Sequence, residues 1–188
     1  MTQARVGIAG LGGLGSTVAA ALARTGIGHL VIVDFDEVDQ SNLNRQQYYI
    51  DQVGQHKVDA TLTNLNRINR HMGITAHKQK LDADTVPEVF GTVDIVAECL
   101  DNVDQKQMLV ETVLAQMTVP IVAVSGLAGY GASNDIRTRT IHPRLTLVGD
   151  TQRGIDTGLP LTAGRIWIAA AHQANAIVEY LLRNESLL

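Results

Sequence analysis

The feature that most narrows the possible folds is a run of glycines at positions 10, 12, 13 and 15, in the segment Gly10-Leu11-Gly12-Gly13-Leu14-Gly15. It follows a short apolar run, Arg5–Ala9, and precedes an alanine-rich stretch, Leu14–Thr25, that Gly26 and Gly28 stop. The first reads as a buried strand and the second as a helix. In such a strand-to-helix turn Gly10 permits the tight bend, Gly12 lets phosphates approach the backbone, and Gly15 lets the helix pack on the sheet. The helix N-terminus adds unpaired N–H groups and the positive end of a dipole. Gly10, Gly12, Gly13 and Gly15 are therefore candidate phosphate-binding residues. A plain strand-to-helix turn without a ligand would use the same pattern.

The rest of the chain repeats the alternation. His29–Val33 is a second buried strand, ending at Asp34. Residues 36–56 are polar and aperiodic, a long loop with room for a helical turn, and loops of this length usually serve function. Lys57–Arg70 predicts a helix with Val58, Leu62, Leu65 and Ile68 on one face. Ile74–Lys80 reads as a strand, Val86–Phe90 as a short helix, Val93–Ala97 as a strand, Val103–Met117 as a helix and Pro120–Ser125 as a strand. Nearly all-apolar strands between helices imply a parallel sheet covered on both faces. Right-handed crossovers make it doubly wound. Beyond Gly126 the pattern changes. Ile136–Ile141 alternates like an antiparallel strand with one wet face, Thr151–Thr162 is a glycine-rich and mobile loop, and Ala163–Leu182 is a long helix. The expected architecture is a doubly wound, mainly parallel, Rossmann-like α/β sheet with antiparallel C-terminal strand(s) and a C-terminal helix, one domain over residues 1–188.

Composition excludes several classes. Hydrophobic residues make up 45% and charged residues 18%, as in a soluble globular protein. A net charge of −4 argues against a broad nucleic-acid-binding face. The N-terminus lacks a signal-peptide pattern, and the longest weakly polar stretch, residues 119–132, is too short to span a bilayer. A cytoplasmic protein with no membrane partner is expected. The single cysteine, Cys99, can form neither an internal disulfide nor a four-cysteine zinc site. It reads as a buried core residue rather than a nucleophile. The six histidines have no metal-ligand spacing.

Asp34 lies nineteen residues after Gly15, where a carboxylate can accept hydrogen bonds from ribose hydroxyls. Up to this point NAD and ATP fit equally. The next segment separates them: Asp34-Phe35-Asp36, Ser41-Asn42-Leu43-Asn44-Arg45-Gln46, Gly54 with Lys57, then Asp101-Asn102 after the fourth strand. These four motifs, in this order, resemble the ubiquitin-activating-enzyme-like adenylyltransferases, the ThiF, MoeB and HesA family, over about residues 5–127. The short chain without zinc cysteines looks most like a compact ThiF-type protein of thiamine biosynthesis.

The resemblance implies an ATP- and Mg²⁺-dependent adenylyltransferase acting on the C-terminal glycine carboxylate of a small ubiquitin-like sulfur carrier, ThiS-like and ending in Gly-Gly. Attack on the α-phosphate builds up charge on the phosphates, which calls for cations and a metal. It assigns Arg45 and Lys57 as cations, Asp101 as the Mg²⁺ ligand, Asp34 to the ribose, and Asn42, Gln46 and Asn102 to holding the nucleotide, with Asp36 ordering the loop. Asp101 is alternatively an N-cap for the helix beginning near Val103. As exposed loop cations, Arg45 and Lys57 should matter little to stability. The family's N-terminal arginine, supplied across a dimer, its zinc cysteine pairs and its downstream catalytic cysteine have no counterpart in this sequence. A homodimer is expected from the resemblance and from the apolar character of Ile166–Leu182, more than one buried face needs. Trp167, the only tryptophan, is expected in the core or at a subunit interface. The alternatives are adenylation of another carboxylate, as in dehydratases of a modified tRNA base, a nicotinamide-dependent oxidoreductase, and a non-catalytic nucleotide- or carrier-binding member of the family.

Overall fold

The structure is a computed structural model that describes residues 1–154 and 157–185. Its strands are β1 (Arg5–Ala9), β2 (His29–Val33), β3 (Gly73–His77), β4 (Ile95–Glu98), β5 (Ile121–Val124), β6 (Arg137–His142) and β7 (Leu145–Gly149). Its helices are α1 (Gly13–Thr25), α2 (Lys57–Ile68), α3 (Thr85–Phe90), α4 (Val103–Gln116) and α5 (Ala163–Glu185). The described strands form one sheet in the order β3-β2-β1-β4-β5-β7-β6. All neighbours are parallel except β6 and β7. This is the expected doubly wound, Rossmann-like arrangement, with its topological switch between β1 and β4.

Alternation along each strand divides the core. Val6, Ile8, Leu30, Ile32, Ile95 and Ala97 face α1, α2 and α5, whereas Ala9, Val31, Val33 and Val96 face α3 and α4. Gly7 is required by close approach, since a Cβ there would collide with the ring of Phe90. Gly26 ends α1 at φ 88°, and its N–H caps the carbonyls of Leu22 and Ala23. No described helix is long and apolar enough to cross a membrane.

Several boundaries differ from the sequence reading. The third strand begins one residue earlier than Ile74 and ends at His77, and the fourth begins at Ile95 rather than Val93. Strand β7 carries no separate signal in the sequence. Its LTLVG run follows β6 through Pro143 and Arg144, so the two read as one tract. Once placed, β7 pairs parallel with β5 and carries β6 as the antiparallel edge. The long loop contains two single-turn 3₁₀ helices, Gln40–Asn42 and Ile50–Gln52. Within the expected mobile loop Thr151–Thr162, residues 155 and 156 lie outside the described residues.

The terminal helix spends most of its apolar face on the core. Its apolar residues Ile166, Ala169, Ala170, Ala174, Ile177 and Leu181 are buried in the core against α1 and the sheet. That packing accounts for most of the apolar character read as a subunit interface. Trp167 and Leu182 stay exposed on this helix, and the other exposed apolar side chains include Tyr49, Ile50 and Val53 on the long loop.

Candidate functional site

A cleft of about 530 Å³ opens at the carboxyl ends of β1, β2, β4 and β5, over the topological switch. Ligands of open α/β sheets bind at this place. Its floor is the glycine loop. Gly10 sits at φ 89°, and a Cβ there would press on the Cys99 carbonyl at 2.8 Å. A Cβ on Gly15 would collide with the Gly10 carbonyl. Both glycines are thus fixed by backbone crowding. Gly12 and Gly13 face the cleft.

Asp34 closes β2 and holds this loop. One carboxylate oxygen accepts from Leu11 N–H at 2.6 Å, the other from Asp36 N–H at 2.8 Å. Burial raises its pKa, with Lys57 and the two backbone N–H groups acting in opposition. Each carboxylate oxygen has a second lone pair, so a ribose hydroxyl remains acceptable there. Buried Tyr48 holds the same turn from the other side: its hydroxyl donates to the Leu11 carbonyl at 2.8 Å and contacts Thr61 Oγ1 at 3.0 Å.

Lys57 is the clearest departure among the charged residues. It opens α2, its side chain is only 8% exposed, and Nζ lies 2.6 Å from Asp36 Oδ2. It is a buried, paired cation, not a loose loop charge. Asp36 accordingly orders the loop, accepting also the Lys57 backbone N–H through its carbonyl. Arg45 behaves as expected of a loop cation. Its guanidinium donates to the Ser41 carbonyl and to Asn44 Oδ1, and it borders the cleft. Trp167 fixes its backbone, donating Nε1–H to the Arg45 carbonyl at 3.3 Å. Trp167 is 46% exposed, so it is only half covered by this contact rather than buried in the core.

Gln46 is buried at the cleft, and its Oε1 has no hydrogen-bond partner. An orphaned buried acceptor is costly and points to a donor that a ligand would supply. Asn42 is not brought to the cleft. Its Oδ1 accepts from Asp39 N–H, and Asp39 in turn caps Ser41, so the residue serves a capping box. A polar side chain at a helix start competes for backbone donors, and here the local turn wins.

At the far wall Asn102, not Asp101, caps α4: Asn102 Oδ1 accepts from Gln105 N–H at 3.0 Å. The capping alternative for Asp101 therefore falls away. Its exposed carboxylate borders the cleft, where it is free to meet a cation. No group of three or more His, Cys, Asp or Glu side chains suited to a metal occurs among the described residues. A single carboxylate nonetheless suits Mg²⁺, which takes one or two carboxylates and fills its shell with phosphate oxygens and water.

Sequence reasoning missed Glu98 and Lys106. Glu98 is fully buried and pairs with Lys106 Nζ at 2.8 Å. It also accepts the N–H groups of Leu100 and Val124. The one available signal was an acidic residue at the end of an otherwise apolar strand, which marks Glu98 but not its partner. Cys99 is buried and its thiol donates to Gln173 Oε1; burial pushes its pKa up, so it is no thiolate.

A ThiF family model matches residues 1–146. The molybdopterin-synthase adenylyltransferase of Salmonella typhimurium is 41% identical over 110 residues, covering 58% of this chain and 44% of that protein. The Aspergillus niger adenylyltransferase and sulfurtransferase uba4 is 35% identical over 132 residues, covering 70% of this chain and 27% of that protein. The chain thus spans less than half the length of either relative. Among solved structures, the Escherichia coli tRNA N6-threonylcarbamoyladenosine dehydratase TcdA in complex with ATP superposes with a TM-score of 0.89 at 22% identity, over 98% of this chain and 88% of that one. At that identity the likeness concerns the fold.

Proposed function

The chain belongs to the ThiF family, and from that premise we propose that it is an ATP-dependent adenylyltransferase activating the C-terminal glycine carboxylate of a small ubiquitin-like sulfur carrier. The observation that carries the reading is one cleft gathering the glycine loop, Asp34, Arg45, Lys57, Asp101 and the orphaned Gln46 acceptor. An oxidoreductase reading uses the glycines and Asp34 but gives Arg45, Lys57 and Asp101 nothing to do. The relatives' names join adenylylation with molybdopterin synthase and with sulfur transfer, which supports a carrier of that kind. They lend no support to a carrier specific to thiamine biosynthesis, so the ThiS-like expectation is widened to the carrier class. Residues 1–188 are taken as one nucleotide-binding domain, since the described strands form one sheet and one of its core clusters runs from Ala4 to Leu181.

In this account the glycine-loop N–H groups and the N-terminus of α1 receive the phosphates. Asp34 holds the ribose, and Gln46 Oε1 gains a donor from the nucleotide. Arg45 balances the charge that develops as pyrophosphate leaves, and Lys57 adds its field from beside Asp36. Asp101 would hold Mg²⁺, which would neutralise phosphate charge when bound. Asn102 fixes the start of α4 and so the place of Asp101.

Calorimetry tests the nucleotide. The protein should bind ATP–Mg²⁺ more tightly than NAD, and Gln46→Leu should weaken ATP binding while leaving the melting temperature equal or higher. Loss of an orphaned acceptor relieves the free protein and deprives the complex. Tighter NAD binding would favour the oxidoreductase. Binding without pyrophosphate exchange would favour the non-catalytic reading.

A homodimer is also proposed, resting on family membership. Exposed Tyr49, Ile50 and Val53 are apolar side chains that a partner copy would cover. Light scattering at micromolar concentration should give about twice the 20.2 kDa chain mass. A mass near 20.2 kDa would contradict it.

A further inference from the structure

We infer that Arg153 binds the carboxylate of the acyl substrate, an assignment that rests on the adenylation reading above. The cleft has two ends. One is the nucleotide end, built from the glycine loop, Asp34, Arg45 and Lys57. The other is built from Ser125, Gly126, Leu127, Ala128 and Leu161, and Arg153 stands in it. Its main chain is pinned on both sides. The N–H donates to Asp150 Oδ1 at 2.9 Å, and the carbonyl accepts from Ala128 N–H at 2.9 Å.

Its guanidinium, by contrast, is barely used. Nη1 reaches the Tyr130 carbonyl only at 3.4 Å, and Nε lies 3.8 Å from Asp150 Oδ2. That oxygen is already taken at 2.6 Å by Arg165, whose side chain is buried. Among the described residues, Asp150 thus draws its neutralising charge from Arg165 and leaves Arg153 with donors to spare. Of the neighbouring cations, Lys106 is committed to Glu98 and the Leu100 carbonyl, and Lys57 to Asp36. A guanidinium fork on a fixed backbone, with unspent donors facing a cleft, suits bidentate recognition of a carboxylate.

The reaction needs such a group. One carboxylate oxygen attacks the α-phosphorus of ATP and forms a C–O–P mixed anhydride. The bond from the α-phosphorus to the bridging oxygen breaks, and pyrophosphate leaves with the electron pair. No proton moves. The acid loses its negative charge in forming the anhydride, so Arg153 grips the substrate more strongly than the product. It therefore acts chiefly on acid binding and orientation.

The test uses the full chain with a non-hydrolysable ATP analogue and Mg²⁺, and a short peptide ending in Gly-Gly as free acid or as C-terminal amide. Calorimetry should show the wild type preferring the acid by about 10–100-fold. Arg153→Gln should abolish the preference, and Arg153→Lys should keep part of it. A merely structural residue would affect both peptides alike, because they differ only at the terminal group. The assignment is overturned if the wild type shows no preference, or if Arg153→Gln keeps it. Should the preference behave as stated while no carrier supports pyrophosphate exchange, the adenylation reading fails and the carboxylate site stands. Should exchange proceed while Arg153→Gln keeps the preference, the site fails and the reading stands.

Discussion

Replacing Arg45 with alanine should slow adenylation by about 10²–10³-fold while ATP affinity and melting temperature stay near those of the wild type. Among the described residues its guanidinium hydrogen-bonds to neighbouring loop atoms alone, Ser41 O and Asn44 Oδ1, so little of the fold depends on it. A group that meets charge mainly in the transition state lowers kcat without a matching change in KM. Lys57→Ala should separate from it. The rate should fall similarly, but stability should drop by about 1–3 kcal/mol, since Asp36 loses a partner 2.6 Å away and a buried side chain is deleted. This reverses the expectation, drawn from the sequence, that Lys57 is dispensable for folding. Steady-state kinetics at saturating ATP together with thermal melts decide the matter. Near-normal turnover of Arg45→Ala would remove that residue from the chemistry.

Arg165→Ala should be strongly destabilising, costing about 3–5 kcal/mol. Its guanidinium is 2% exposed and pairs with Asp150, itself 5% exposed, at 2.6 Å. It also donates to the carbonyls of Leu127, Gly131 and Ala132. The hub matters because the backbone around it is strained. Ala132 and Thr151 sit at φ 45° and 60°, a left-handed conformation costly for residues with a Cβ. Gly126 is forced as well, since a Cβ there would collide with Asp150 Oδ1. The pair thus ties the start of α5 to the loops beyond β5 and β7, the wall that holds Arg153. At about 2–4 °C per kcal/mol, the melting temperature should fall by roughly 6–20 °C. Arg165→Lys, which keeps the charge without the fork, should fall between. A melting temperature within about 2 °C of the wild type would show the pair to be dispensable.

The parallel half of the fold was legible because its signals are local: apolar runs of strand length, helical periodicity and glycines at their ends. The antiparallel edge was only half legible. Nothing in LTLVG says that it pairs with β5 rather than continuing β6, since register is decided by partners distant in sequence. The site divides in the same way. Gly10, Gly12, Gly13, Asp34, Arg45, Gln46, Lys57 and Asp101 all reach one cleft, whereas Gly15 packs beneath the loop against the Gly10 carbonyl. Asn42 does not reach it, because its side chain serves the turn that begins at Asp39. The order Asp101-Asn102 leaves open which residue caps α4, and only geometry distinguishes them. Burial was the least legible property. Lys57 follows a polar loop and reads as surface, yet α2 draws it under Asp36. The Glu98–Lys106 and Asp150–Arg165 pairs each join residues that sequence spacing alone would not couple.

The proposed reaction joins a carboxylate to the α-phosphate of ATP in this cleft, with release of pyrophosphate. Exchange of labelled pyrophosphate into ATP, with the protein, Mg²⁺ and a small carrier ending in Gly-Gly, tests it most directly. Label should enter ATP only with the carrier, disappear when the carrier's terminal glycine is removed, and fall by about 10²–10³-fold with Arg45→Ala. Exchange no greater than without carrier, for every Gly-Gly carrier encoded near this chain's gene and with ATP demonstrably bound, would contradict it.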